Sequence, residues 1–88
     1  MWKGMNVQQC RAESSALEGH IKKLTGIRED LDREVATIDK SWNGDDSVRF
    51  VSKWHNSERK QVQDAIEFLK KQLNTLNQEI AEQARVSR

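Results

Sequence analysis

Apolar side chains recur at alternating steps of three and four residues along almost the whole chain. The recurrence breaks once, at Ser41-Trp42-Asn43-Gly44-Asp45-Asp46. Such steps place every member of the series on one stripe of an α-helix. Upstream of the break one set reads Val7, Ser14, Ile21, Arg28, Val35 and Trp42, and its companion reads Cys10, Leu17, Leu24, Leu31 and Ile38. Downstream, Phe50, Val51 and Trp54 lead into Val62, Ile66, Leu69, Leu73, Leu76 and Ile80, and polar Gln83 and Ser87 continue the same steps. Two one-sided helices with no proline between them have one economical solution, which is to fold back and bury the stripes against each other.

The break has the chemistry of a reversal. Gly44 takes positive φ without a Cβ penalty. Asp45 or Asp46 is expected to cap the following helix and to face its positive end. Trp42 is the last member of the first stripe, so the helix is expected to deliver its indole into the hairpin interior as a plug between the two helix ends. The expectation is all-α: an antiparallel two-helix hairpin occupying residues 1–88 as one domain, with helix 1 about 7–41, a turn at 42–45 and helix 2 about 46–84. Residues 1–5 read as a loose leader. Asn6 is placed to cap helix 1, with Gln9 three residues on.

Three places along the stripes are ambiguous. At Arg28 either the arginine runs its aliphatic stem along the stripe and meets an acid, or it sits at the edge and Ile27 does the burying. His55-Asn56-Ser57-Glu58-Arg59-Lys60 contains no apolar residue and is expected to be solvated, continuous helix. Glu18 with Lys22, Glu29 with Arg33 and Glu67 with Lys71 stand at i,i+4 spacing and are expected to pair on exposed faces.

Composition sets limits on partners. Only 35% of residues are hydrophobic while 33% are charged, too lean for a compact self-contained core but sufficient for a thin hairpin that shares its stripe with another. Ile27, Ala36, Val51 and Ala65 flank the stripes and add to what a lone hairpin leaves wet. Dimerisation into a four-helix bundle is therefore expected. Fifteen basic and 14 acidic residues interleave to a net charge of +1, so neither nucleic acid nor an anionic membrane surface is implied. No apolar run approaches the ~20 residues of a membrane span, so stable membrane insertion is not expected. The first residues hold no apolar segment of signal-peptide length.

No catalytic constellation is legible. His20 and His55 fall in different helices, no His-x3-His or Cys-x2-Cys spacing occurs, and there is no phosphate-binding glycine loop. No enzyme activity, metal or cofactor is expected. Cys10 is single and reads as a small apolar residue.

Trp42-x-Gly44, followed by Arg49, Phe50 and Trp54, resembles the WXG-motif family of small helical hairpins, the early-secretory-antigen-like proteins of type VII (ESX) secretion. The string from Trp42 to Trp54 is similar to actinobacterial members. The resemblance implies a secreted substrate, or a co-secreted partner or targeting factor for a larger effector, exported from the cytoplasm without a cleaved leader. It implies pairing of two hairpins, either as a homodimer or as a heterodimer with a related protein, with Trp42 and Gly44 as the motif at the turn, helping to present a surface to the secretion machinery, and an interaction surface of Phe50, Trp54, Gln83 and Ser87. Many such substrates carry Tyr-x-x-x-Asp/Glu after the second helix; here Gln83 and Ser87 stand at those positions, and the sequence contains no tyrosine. The expectation is then that the chain travels with, or helps deliver, a partner that supplies the signal, or that its system reads a different terminus or a signal beyond Arg88. An intracellular coiled-coil adaptor accounts for the stripes equally well but leaves the aromatic set around the turn without a purpose.

Overall fold

A computed structural model describes residues 5–42 and 44–86. The leader residues 1–4, Asn43 of the turn and Ser87 lie outside the described residues. Helix α1 runs Val7–Ser41, α2 runs Asp45–Lys53, a π-helical turn occupies Trp54–Glu58, and α3 runs Arg59–Val86. Among the described residues there is no strand. The protein is an all-α helical hairpin, a rod of 65 × 17 × 14 Å with a radius of gyration of 19.5 Å. A compact chain of this length would have a radius near ~12 Å.

Polar rungs fix the antiparallel register. The Ser14 hydroxyl donates to the Asn77 side-chain carbonyl, Arg28 Nη1 donates to Gln63 Oε1 at 2.6 Å, and Arg59 Nε donates to Asp32 at 3.0 Å. Each step forward along α1 is matched by an equal step back along α3. The seam between them is thin: Ile21, Val35, Trp54, Ile66 and Ile80 are buried, and Ile66 is the most deeply enclosed.

The helix ends follow from local chemistry. Asn6 sits in extended conformation, and its side-chain oxygen accepts the Gln9 amide at 2.9 Å. At the other end of α1 the Trp42 amide donates to the Ile38 carbonyl at 2.9 Å, and the chain then leaves helical geometry at Trp42, φ −130° and ψ 113°. Gly44 takes φ 141° and ψ 175°, a region effectively closed to side-chain-bearing residues, and serves as the N-cap of α2. The aspartates do not cap. Asp45 and Asp46 lie one step further, in the first turn of α2, where their charge faces the helix's positive end. Ser47, buried, donates its hydroxyl to the Gly44 carbonyl at 2.8 Å and tightens the corner.

The second arm is helical through the polar segment, but not as plain α-helix. The Arg59 amide donates to the Trp54 carbonyl five residues back, the signature of a π-turn. Two of the expected i,i+4 pairs are replaced by i,i+3 pairs on the same face, Arg33 with Asp30 and Lys70 with Glu67, and among the described residues Glu18 and Lys22 form no ion pair.

Candidate functional site

Two groups of residues stand out. At the turn, Trp42 is 44% exposed rather than enclosed. The departure from helical geometry at Trp42 takes its side chain off the stripe, and the interior beside the corner is filled by Ser47 and Trp54 instead. The Trp42 indole leans on Phe50 with ring centroids 6.3 Å apart and planes tilted by 56°. Phe50 and the neighbouring Val48 are also exposed. The turn therefore carries an accessible aromatic patch mounted on the strained backbone of Gly44.

Trp54 behaves differently. It is spaced i,i+4 from Phe50, yet only 7% of it is exposed while Phe50 faces out. Its indole N–H donates to Asp32 Oδ1 at 2.9 Å. Arg59 Nε reaches both oxygens of the same carboxylate, at 3.0 and 3.2 Å. Arg28 lies alongside, its Nε 3.9 Å from Asp32 Oδ2 and without a hydrogen-bond partner among the described residues. This cluster of Arg28, Asp32, Trp54, Arg59 and Gln63 is the polar centre of the hairpin. Burial pushes the Asp32 carboxyl up, but the hydrogen bonds from Arg59 and Trp54 and the charges of Arg59 and Arg28 outweigh it, leaving its pKa below the ordinary 3.8. Arg28 thus takes the stripe position, with 17% of its side chain exposed, while Ile27 is 52% exposed. Its acid lies on its own helix and its amide partner on α3.

The roles of Asp32, Arg59 and Gln63 are not evident from the stripes. One signal does point there. From Trp54 to Val62 is eight residues, one more than a regular heptad, so an extra residue must be absorbed between them.

The stripes themselves divide in two. Ile21, Val35, Ile66 and Ile80 fill the seam. Leu17, Leu31, Ile38, Val62, Leu69, Leu73 and Leu76 are half-buried, and Leu24 is more exposed. Leu24 follows Ile21 by three residues and Leu69 follows Ile66 by three, so both are rotated by about 60° to the same side of their helices. In an antiparallel pair, like-rotated sides open on the same face of the hairpin. Gln83, half-buried, continues the set on α3. The opposite face carries a shallow groove that reaches Ile21 and Leu73 of the seam and is otherwise lined by polar side chains, among them Glu18, Lys22, Glu67 and Lys70 of mixed charge. The hairpin is accordingly two-faced, apolar on one broad side and charged on the other.

Among the described residues no group of three or more His, Cys, Asp and Glu is placed to hold a metal ion, and no helix is long and apolar enough to cross a membrane. Cys10 is a half-buried free thiol. No curated protein and no solved structure matches the chain. A family model described as "Proteins of 100 residues with WXG" matches residues 4–85, taking in both helices and the Trp42-Asn43-Gly44 corner. On that match, and on the helical hairpin that carries it, the chain belongs to the WXG100 family of small helical proteins associated with type VII secretion.

Proposed function

We propose that this protein is a non-enzymatic binding hairpin of type VII secretion, exported without a cleaved leader as a substrate or as the co-secreted partner of a larger effector. Members of its family are small secretion proteins, not known enzymes, and they generally work with partners. The observation that carries the reading is the broad face of half-covered Leu17, Leu24, Leu31, Ile38, Val62, Leu69 and Leu76, set against a charged opposite face. A second hairpin laid antiparallel on that face completes a four-helix bundle and removes those side chains from water, each contributing up to ~1.5–3 kcal/mol of transfer free energy when fully buried. A second copy of this chain is the first choice of partner, and a related hairpin the second.

The turn patch of Trp42, Gly44 and Phe50 is the surface offered to the machinery or the effector. Exposed aromatics on a rigid corner are the residue type that anchors protein contacts. Trp54, buried against Asp32, supports that corner from beneath. Gln83 and Ser87 supply neither an aromatic ring nor a carboxylate, so the supply of a Tyr-x-x-x-Asp/Glu signal is assigned to the partner.

Sedimentation equilibrium at micromolar concentration is expected to give a species of twice 10.2 kDa, reduced to the single chain by Leu24→Asp together with Leu69→Asp. A single-chain species from the wild type overturns the homodimer and leaves the heterodimer. Export that appears only when the chain is co-expressed with its gene neighbours supports the co-secreted role. Export of the chain alone with residues 83–88 deleted removes the tail from the account.

A further inference from the structure

Along the second arm the residues turned toward α1 are Ser47, Val51, Trp54, Arg59, Val62 and Ile66, separated by steps of four, three, five, three and four. The single step of five coincides with the π-turn at Trp54–Glu58. A plain α-helix continued from Trp54 would turn Gln61, Ala65 and Phe68 toward α1 instead. In the structure Phe68 is 59% exposed and Ile66 only 1%. The extra residue therefore decides which side of α3 forms the seam. The unused side reads Glu58, Gln61, Ala65, Phe68, Gln72, Thr75 and Glu79, so the apolar stripe from Val62 to Ile80 itself favours the observed side, and what is left to local contacts is where the extra residue sits.

A π-turn has no intrinsic reason to stay in one place along a helix, because its hydrogen bonds are equivalent to those one turn away. Here both of its ends are held by one carboxylate. Asp32 accepts from the indole of Trp54, the first residue of the π-turn, and from the guanidinium of Arg59, the residue immediately after it. Moving the extra residue past either donor rotates that donor by about 100° away from Asp32. Arg28 donating to Gln63 adds a second rung just beyond.

We infer that Asp32 is a positioning residue that pins the extra residue at Trp54–Glu58, the place where the phase of the second arm shifts so that Ile66 turns in and Phe68 out. The inference is independent of how hairpins pair. It is an internal setting of the hairpin that determines which side chains any partner meets.

The experiment compares the wild type, Asp32→Asn, a deletion of Ser57, and the two changes together, by NMR of the full chain. Deleting Ser57 removes the extra residue and restores heptad spacing from Trp54 onward, so a plain α-helix keeps the present seam. In Asp32→Asn, amide exchange across residues 54–62 is expected to accelerate by about tenfold or more relative to residues 72–80. In the Ser57-deleted background, Asp32→Asn is expected to produce no such local acceleration. Acceleration spread evenly over α1 and α3, or an undiminished effect of Asp32→Asn after the deletion, overturns the inference. If Asp32→Asn alone does not fold, the double variant is expected to fold, and its failure to do so overturns the inference equally.

Discussion

Trp42 and Trp54 flank the same corner, and the chain uses them in opposite ways. Trp42 follows directly on an apolar stripe and, by spacing, has the stronger claim to the interior. It stands half exposed against Phe50. Trp54 opens a segment with no apolar residue for some distance, and it is buried. Two physical differences account for the exchange. Helical phase governs a side chain only while the backbone is helical, and the backbone leaves that geometry at Trp42. An enclosed indole also needs an acceptor for its N–H, and Asp32 provides one for Trp54. The corner is consequently built in two tiers, an enclosed indole tied to a carboxylate below and an open indole on a glycine-dependent backbone above.

Substitutions that treat the two tiers separately sharpen this contrast. Trp54→Ala is expected to be the most damaging single change at the corner, costing ~3–5 kcal/mol by urea denaturation, a large part of the ~5–15 kcal/mol available to a domain. A loss no larger than that of Trp42→Ala would collapse the distinction. Asp32→Asn is expected to cost about 1–3 kcal/mol at neutral pH by removing the charge that Arg59 and Arg28 face and by replacing one acceptor oxygen with an NH2 donor beside Arg59, toward the lower end because Arg59 is partly solvated and one acceptor oxygen remains. Its pH dependence carries the sign. The folded-state pKa of Asp32 is lowered, so its stabilisation is present above 3.8 and is lost as pH falls from there through the folded value. The gap between wild type and Asp32→Asn should narrow on acidification below 3.8, and a gap that does not narrow as pH falls would contradict the ion pairing.

Gly44→Ala comes next, at about 1–2 kcal/mol. A methyl group meets no neighbour there, so the whole cost lies in the backbone conformation at φ 141°. Trp42→Ala is expected to be the mildest, near ~0.5–1.5 kcal/mol, the worth of an aromatic contact such as that with Phe50. Export lost at near-intact stability in Trp42→Ala would assign the upper tier to recognition, whereas export retained would reduce it to packing.

The hairpin was legible because α1 repeats its steps without a slip from Val7 to Ile38, and only a helix converts those steps into one stripe. The polar centre was not. Asp32 lies beside the stripe and looks like any solvated carboxylate. Its importance depends on Trp54 and Arg59 arriving from the other arm, and that is a matter of register between distant segments. Arg28 illustrates the same limit. Whether it or Ile27 turns inward is decided by the presence of Gln63 opposite, which propensity on α1 cannot supply. The eight-residue interval from Trp54 to Val62 was visible all along. Its meaning required knowing that the chain accommodates it with a π-turn rather than a break.

The thinness of the rod also shapes how the molecule comes apart. Each rung, from Ser14 with Asn77 to Asp32 with Arg59, meets only the rungs beside it, so cohesion runs along a line rather than through a volume. Such an assembly opens like a zipper. Opening is expected to begin at the end of the rod that holds Val7 and Val86 and to reach the closed corner last. Partway along, the Asp32 cluster is a polar latch between two greasy tracks, where an advancing opening must stop and be hydrated before it can continue.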